Sequence, residues 1–341
     1  MTSKHSAPSL RDIAKHAGVS VNTVSRALTG KPDVNAETRA RVQELAKELG
    51  YMPNLLARSL LRGHSSLIGL VVTDCTNPFY AGLIRAIETT LSRRGYGMLL
   101  ATSNEDPGKE DRALTVLQEH RVDGILLTAV DVEAEHVRRL ISGLTPVVLL
   151  ARRSPAYGGP FVGTDNIAGA EQIVRYLIDH GHRRVAHIGR SDAATSGGER
   201  LIGYRNALAQ AQLASDGLVF PALPSVEGGE AACEWLLALR PAPTAVFAYN
   251  DLQAIGLMQA LQRRGKQIPG DYSVAGFDDI QFSHLISPQL TTAAQPVDEI
   301  GLLGASLLID IINGLPASSP VLLQSSLIVR QSTAQNFSLG L

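Results

Sequence analysis

Cysteine is nearly absent: Cys75 and Cys233 stand far apart, and neither has a Cys-x-x-Cys partner. That pattern excludes a disulfide framework and a cysteine zinc site, and it fits a reducing compartment. No apolar run nears the roughly 20 residues that a spanning helix needs, so no membrane is expected as a partner. The opening MTSKHSAPSL has no apolar core, so no secretory signal is expected and the location is read as cytoplasmic. Gly-x-Gly-x-x-Gly after a strand is missing, as is Gly-x-x-x-x-Gly-Lys-[Ser/Thr]. Without those loops, nucleotide binding through a backbone phosphate cradle has no support. Gly-x-Ser-x-Gly and His-Glu-x-x-His are also missing, so neither a nucleophile elbow nor a zinc hydrolase is indicated. No cofactor and no catalytic residue are expected.

What is present begins at the N-terminus. Residues 1–64 carry ten Lys and Arg against five Asp and Glu, a net +5, while the remainder carries 21 against 27. The whole-chain charge of −1 hides this split. A basic head on an acidic body is the electrostatic footprint of a nucleic-acid-binding domain. Within the head, Leu10 to Leu28 reads LRDIAKHAGVSVNTVSRAL. Ser9 with Asp12 can form a capping box, and Ile13, Ala14 and Ala17 make one apolar stripe. Gly18 permits a tight turn. Ser20 can cap a second helix whose Val24, Ala27 and Leu28 face inward, leaving Val21, Asn22, Ser25 and Arg26 outward. Two short helices around a glycine turn, with a polar outer face on the second, is the helix-turn-helix pattern. The same spacing also suits a plain helical hairpin, and the charge split favours DNA.

A third helix is expected from Ala36 to Leu49, capped by Asn35 and ended by Gly50. Pro53 then breaks the chain, and Leu55 to Leu61 can form a two-turn helix capped by Asn54. So short a helix is marginal alone. It reads either as a linker or as a hinge that folds on binding, with Leu60 available as an apolar wedge for the minor groove.

From Leu67 the period changes. LIGLVV (67–72), YGMLLAT (96–102), GILLTAV (124–130) and PVVLLA (146–151) alternate with helices near 79–94, 109–119 and 133–143. FVGTD (161–165), RVAHIG (184–189), TAVFAYND (244–251) and SVAGFDD (273–279) alternate with helices near 166–180, 199–212, 229–239 and 252–264. Continuous apolar strands alternating with helices indicate parallel sheets covered on both faces. The fold class is therefore an all-α helix-turn-helix headpiece plus an α/β core of two doubly wound parallel-sheet subdomains. The boundaries are 1–52 for the headpiece, 53–64 for the hinge and 65–341 for the core. The first subdomain takes about 65–163 with 296–325, and the second about 164–293 with 326–341. Ligands bind beyond the carboxyl ends of such strands. Asp74 to Tyr80, Arg152, Asp165, Asn250-Asp251 and Asp278-Asp279 lie there, so one shared cleft is expected. His180, His182 and His187 read as ordinary: Gly181 ends a helix, and His182-Arg183-Arg184 can satisfy its last carbonyls. Asp278-Asp279 lacks a nucleophile or base partner, so hydrogen bonding toward a polyol is favoured over acid–base work.

These residues resemble the lactose-repressor (LacI/GalR) family of bacterial transcription regulators over essentially the whole chain. The match rests on DIAKHAGVSVNTVSRAL, ETR (37–39), ELGYMPN (48–54) and the hinge run from Asn54 to Leu60. In the core it rests on NPFY (77–80), DNIAGA (165–170), HGHRRVAHIG (180–189), ERLIGYRNAL (199–208), YNDLQAIG (249–256), VAGFDD (274–279) and PQLTTAAQP (288–296). The resemblance implies a homodimer on a pseudo-palindromic double-stranded DNA operator, most simply as a repressor. It carries base reading to Val21, Asn22 and Arg26. Arg26 suits guanine, Asn22 suits adenine, and Val21 offers only apolar contact. Ser20, Thr23, Ser25, Tyr51 and Asn54 suit phosphates, which position without specifying. Leu60 matches the family's inserted leucine and Ala57 its packing partner.

The core resembles periplasmic sugar-binding proteins, which implies a small-molecule effector between the subdomains: a sugar, a sugar acid or a nucleoside-like molecule. Family ligand positions carry over to Phe79, Tyr80, Thr128, Arg152, Arg200, Asn250, Asp278 and Gln295. Asp165 is a further candidate that equally suits a helix cap. Two departures leave the effector open. Ala151 stands where many members have Asp, and PALPSVEGG (221–229) lacks an aromatic found in many. The ending QNFSLGL lacks a leucine heptad, so no tetramer tail is expected. The competing classes are a solute-binding protein without DNA activity, which the basic head opposes, and an enzyme, whose signatures are missing.

Overall fold

The structure is a computed structural model that describes residues 8–51, 64–154, 157–190, 195–316 and 320–336. The hinge positions Asn54, Ala57 and Leu60 lie outside the described residues. The chain divides into two compact units, 1–65 and 66–341.

The first unit holds α1 (Leu10–Ala17), α2 (Val21–Leu28) and α3 (Ala36–Glu48). Each start follows from local chemistry. The Asp12 carboxylate accepts from the Ser9 N–H at 2.8 Å and from its hydroxyl at 2.7 Å. Ser20 Oγ accepts from the Thr23 N–H at 3.0 Å, and Asn35 Oδ1 from the Thr38 N–H at 2.7 Å. These side chains satisfy amides that the first helical turn leaves without carbonyl partners. Gly18 ends α1 at φ +65°, a conformation that costs glycine little. Ile13, Ala14, Ala17, Val24, Ala27, Val42 and Ala46 make the buried centre, with Val34 from the connection. Small alanines on all three helices let them pack closely around few large side chains.

Among the described residues, the second unit contains two six-stranded sheets. The first is built from β1 (Leu67–Val72), β2 (Gly97–Thr102), β3 (Gly124–Leu127), β4 (Val147–Leu150), β5 (Phe161–Thr164) and β11 (Val321–Leu323), in the order β11-β5-β4-β3-β1-β2. Every pairing in it is parallel. The second holds β6 (Val185–Arg190), β7 (Val219–Ala222), β8 (Ala245–Ala248), β9 (Ser273–Asp278), β10 (Thr291–Ala294) and β12 (Ser326–Ile328), in the order β12-β10-β9-β8-β6-β7. Only the edge strand β12 runs antiparallel. In the first sheet Ile68, Leu70 and Val72 face a core shared with Leu83 and Ile87 of helix Pro78–Arg93 and Ile300 and Leu308 of helix Val297–Ile312, all buried. Val71, Ile125, Leu127 and Leu149 bury the other face. Burial on both faces explains why these strands read as unbroken apolar runs.

The chain passes between the sheets three times, at 164–166, 294–297 and 323–326. The passages are tied together: the Asp165 N–H donates to the Leu323 carbonyl at 2.8 Å, and the Thr164 hydroxyl donates to Gln295 Oε1 at 2.7 Å.

Several boundaries differ from expectation. The helix placed near 199 starts at Thr195, and the one placed near 229 starts at Val226, where Ser225 Oγ caps it by accepting from the Gly228 N–H. At the end of helix Asn166–Asp179 it is His180, not His182, whose ring bonds a helical carbonyl, that of Tyr176, at 2.8 Å. His182 instead bridges the Thr244 hydroxyl and the Ala334 carbonyl, at 2.9 and 3.1 Å. Strands β7, β10, β11 and β12 and helix Val297–Ile312 fall where the apolar alternation assigned no element. β10 explains why: Thr291 and Thr292 are buried because their hydroxyls meet Thr333 and Asp251, at 2.8 and 2.6 Å. Polar side chains satisfied inside a sheet do not register as an apolar run.

Candidate nucleic-acid interface and effector cleft

In the headpiece, the stripe that packs α2 inward leaves a defined outer face. Val24 and Ala27 are fully buried, while Val21, Asn22 and Arg26 are exposed and Thr23 and Ser25 half-buried. The Ser20 and Thr23 hydroxyls bond each other at 2.8 Å, which fixes both at the start of the helix. Arg26 Nη2 lies 2.6 Å from Asp33 in the loop after α2. This contact lowers the Asp33 pKa and raises that of Arg26. Tyr51 packs against the headpiece core.

In the second unit, a cavity of about 270 Å³ opens at the carboxyl ends of the two sheets. Phe79, Tyr80, Arg152, Arg200, Asn250, Asp278 and Gln295 line it, and so do Glu105, Arg190, Ser196 and Tyr249. The sheets explain the convergence: each of these residues lies at or just beyond a strand end, or on the first turns of the helix that follows. Asn77 Oδ1 caps helix Pro78–Arg93 by accepting from the Phe79 N–H at 3.0 Å, which sets both aromatic rings at the wall. Asn250 Oδ1 caps helix Asp251–Arg263 through the Gln253 N–H at 2.9 Å, while its amide donates to the Pro224 carbonyl at 3.2 Å.

Three guanidinium groups dominate the electrostatics. Arg152 donates to both carboxylate oxygens of Glu105, at 2.6 and 2.9 Å, from within the first sheet's subdomain. Arg190, the last residue of β6, reaches the same carboxylate from the other sheet at 3.3 and 3.4 Å. Burial alone would raise the Glu105 pKa, but the two guanidiniums outweigh it and hold the group at about 2. Arg200 donates to the Tyr249 carbonyl at 2.6 Å and to Asn166 Oδ1 at 3.0 Å. Its guanidinium sits 3.7 Å from the Phe277 ring centre and 4.4 Å from that of Tyr249. Asp278 lies 3.6 Å from Arg200 and accepts from the Gln295 amide at 2.7 Å. Burial nevertheless pushes Asp278 up to about 7, because it outweighs the attraction of Arg200. Tyr249 is buried too, yet Arg190 and Arg200 bring its pKa below the usual value.

Backbone strain gathers at the same place. Asn104, Glu105, Ala151, Asp278 and Asp279 all have positive φ, at 50°, 57°, 59°, 128° and 57°. Non-glycine residues in that region cost roughly 1–3 kcal/mol each and persist where the surroundings over-determine them.

Not every sequence candidate reaches the cavity. Thr128 is fully buried behind β1, where its hydroxyl accepts from the Thr73 N–H at 3.2 Å. Asp165 caps helix Asn166–Asp179 through the Ala168 N–H at 3.0 Å. Asp251 turns inward, accepting from the Ile280 N–H and the Ser283 and Thr292 hydroxyls. Asp279 pairs with Arg330 at 2.7 Å. Conversely, Glu105, Arg190, Ser196 and Tyr249 line the cavity without having been singled out. Glu105, Arg190 and Tyr249 follow or end β2, β6 and β8, so the strand-end rule that picked out Arg152 applies equally to them. Among the described residues, no group of three or more His, Cys, Asp and Glu side chains is placed to hold a metal.

Both parts of the chain match known proteins. Residues 9–54 match the model of bacterial regulatory proteins of the lacI family, and residues 174–333 match a periplasmic binding protein-like domain. The ribose operon repressor of Escherichia coli (strain K12) is 37% identical over 304 residues, covering 88% of this chain and 92% of that protein. Catabolite control protein A of Priestia megaterium is 34% identical over 325 residues, covering 94% and 98%. The crystal structure of the lac repressor dimer bound to operator and the anti-inducer ONPF superposes with a TM-score of 0.89 at 26% identity, over 96% of this chain and all of that one. With a helix-turn-helix head, a two-sheet binding core and relatives that match along nearly its whole length, the chain belongs to the lacI family of bacterial regulatory proteins, and is a DNA-binding transcriptional regulator rather than an enzyme.

Proposed function

We propose that the chain acts as a homodimeric repressor on a pseudo-palindromic operator and is controlled by a small polar effector in the cleft. Residues 1–52 form the reading head, 53–64 the hinge and 65–341 the effector-binding and dimerising core. Arg26 and Asn22 read base edges, with Val21 beside them, while Ser20, Thr23, Ser25, Tyr51 and Asn54 hold phosphates. Leu60, packed by Ala57, wedges the central step. Phe79 and Tyr80 cover the apolar face of the effector, and Arg152, Arg200, Asn250, Asp278 and Gln295 meet its polar groups. Thr128 and Asp165 support the wall from behind.

The observation that carries this reading is the cavity itself, bounded by both sheets and crossed by polar contacts between them. A ligand there alters the angle between the subdomains, and so the spacing of the two hinge segments in the dimer. It can shift that equilibrium only by its differential affinity for the two states, typically about 1–3 kcal/mol. The nature of the relatives supports the two partners: an operon repressor, and a repressor dimer on operator with a small molecule bound.

The test is operator selection from random-sequence DNA with the full chain, followed by mobility shifts on the selected site with and without ligand. Two inverted half-sites and a ligand-dependent shift are expected. Deleting residues 1–62 should abolish operator binding and spare effector binding. Operator binding that survives the deletion, or selection that yields no inverted repeat, would refute the assignment.

A further inference from the structure

Asn250 lines the cavity, while its neighbour Asp251, the first residue of helix Asp251–Arg263, is fully buried and does not. A carboxylate taken out of water is costly unless donors meet its oxygens. Three donors meet this one. Oδ2 accepts from the Ile280 N–H at 2.9 Å and from the Ser283 hydroxyl at 2.6 Å, and Oδ1 accepts from the Thr292 hydroxyl at 2.6 Å. Gly276 on β9 makes the room, since a Cβ there would lie 2.3 Å from Oδ1. Thr292 is the register partner of Gly276 on β10, so the carboxylate sits beside the one strand position that offers no side chain and bonds the strand next to it.

Two of the three donors belong to one turn. Ile280 directly follows Asp278 and Asp279, which stand at φ 128° and 57°. Ser283 lies in the 3-10 turn Gln281–His284 just beyond. Two successive non-glycine residues at positive φ are strained, and they persist only where the surroundings over-determine them. The surroundings are identifiable here. Gln295 holds Asp278 from one side: its amide donates to the carboxylate at 2.7 Å and its N–H to the carbonyl at 3.3 Å. Arg330 holds Asp279 at 2.7 Å. Asp251 holds the chain immediately after the strained pair. Of this turn, Asp278 lines the cavity, while Ile280 and Ser283 do not.

We propose that Asp251 is a positioning residue for effector binding: without meeting the effector, it fixes the aim of the Asp278 carboxyl by anchoring the turn through Ile280 and Ser283. A group held in its binding direction before the ligand arrives loses little freedom on binding, which strengthens the complex. Released from the anchor, the backbone at Asp278 and Asp279 relaxes away from positive φ, and the carboxyl turns from the ligand. This deepens the proposed function and rests on it, because it assumes that an effector in the cleft meets Asp278. A carboxylate that served stability alone would leave affinity unchanged, and its loss would combine independently with that of Asp278.

The test is calorimetric titration of the full chain and its variants with D-ribose, D-glucose, D-gluconate and adenosine. The parent should bind at least one of them. Asp251→Ala should weaken that ligand at least tenfold. Asp251→Asn should restore binding to within threefold of the parent: its oxygen accepts from Ile280 and Ser283, and its amide donates to the Thr292 hydroxyl. Asp278→Asn should weaken the ligand at least fivefold, and adding Asp251→Ala to it should cost less than a further twofold, because residues that act through one contact do not add. Fully additive losses would overturn the positioning role. So would an Asp251→Ala variant whose urea midpoint falls while its affinity stays within twofold of the parent, or an Asp251→Asn variant that binds no better than Asp251→Ala. Should Asp251→Ala fail to fold, Ser283→Ala supplies the second test. It removes one of the two bonds to the turn, so it should weaken the ligand at least threefold in the parent and less than twofold in Asp278→Asn; unchanged binding in the parent would overturn the role. No heat from any of the four ligands with the parent chain, its operator binding intact, would count against the effector reading itself and the positioning role with it.

Discussion

Gln295 and Asp278 are joined by an amide-to-carboxylate hydrogen bond of 2.7 Å, and the other end of the same amide accepts from Thr164 at 2.7 Å. Gln295 lies on one passage between the sheets and Thr164 at another, so a cleft carboxyl is connected to two of the three passages by one side chain. Gln295→Ala leaves the buried Thr164 hydroxyl and Asp278 without that partner. Removing one end of a buried hydrogen bond costs about 1–3 kcal/mol. The urea midpoint should fall accordingly, and an unchanged midpoint would show that water replaces the amide.

Asp278 gives the fold a pH dependence with a definite sign. Its folded pKa of about 7 lies above the ordinary 3.8, so between those values the folded chain holds a proton that the unfolded chain has released. Stability therefore falls as pH rises through that window, approaching about 1.4 kcal/mol per pH unit. His187 works the other way. Buried between the rings of Tyr204 and Phe247, it is held down at about 4 against an ordinary 6.5. Its contribution is lost as pH drops from 6.5 toward 4. The two slopes oppose each other between those values. Asp278→Asn removes one of them, so the variant should gain stability relative to the parent as pH rises from 4 to 7. Parallel curves for the two proteins, measured by urea unfolding at each pH, would sink the assignment.

The Arg26–Asp33 contact means that the guanidinium proposed to read a base is engaged before DNA arrives. Arg26→Ala should weaken the selected operator on the order of 10- to 100-fold and relax preference at one base pair per half-site. An equal loss on every sequence would show a phosphate contact instead. Asp33→Ala should strengthen binding to specific and random DNA alike, because it frees the guanidinium and removes a negative charge near the phosphates. Weaker binding by Asp33→Ala would mean that the pair positions the side chain for reading.

Helices Val226–Ala238 and Asp251–Arg263 cross where Gly229 meets the Gln253 carbonyl and Gly256 the Val226 carbonyl, each too close for a methyl group. Both contacts involve main-chain oxygen, which cannot rotate away. Gly256→Ala should destabilise by about 1–3 kcal/mol, as overpacking does. The thermal midpoint checks it, and no change would imply that the helices separate freely.

The headpiece was the most legible part, because its signals are local. Ser20, Gly18 and Asn35 act within three or four residues of their own position, so spacing along the chain determines their role. The strands β1, β3 and β4 were legible for another reason: burial on both faces leaves no alternation to misread. Legibility failed where a side chain answers to something distant. Asp251 and Asp278 both lie in acidic pairs near strand ends, yet one is satisfied by Ser283 and Thr292 inside the sheet and the other lines the cleft. Only the packing of β10 beside β9 separates them. Glu105 escaped notice because nothing in the run Asn104-Glu105-Asp106 marks its backbone as left-handed, and its partners lie 47 and 85 residues away. Helix Val297–Ile312 packs on the first sheet although every central strand of the second precedes it.

The triple passage also orders events on the ribosome. β1 to β5 are made first, but the helix that buries Leu308 against the first sheet, and the strand that covers β5, arrive only with residues 297–323. By then the central strands of the second sheet have already been synthesised. The subdomain that begins first is completed late, so during translation its open edge and one apolar face stay exposed while the other half forms. Chaperones that shield nascent apolar surface should engage this chain between the emergence of β5 and that of β11.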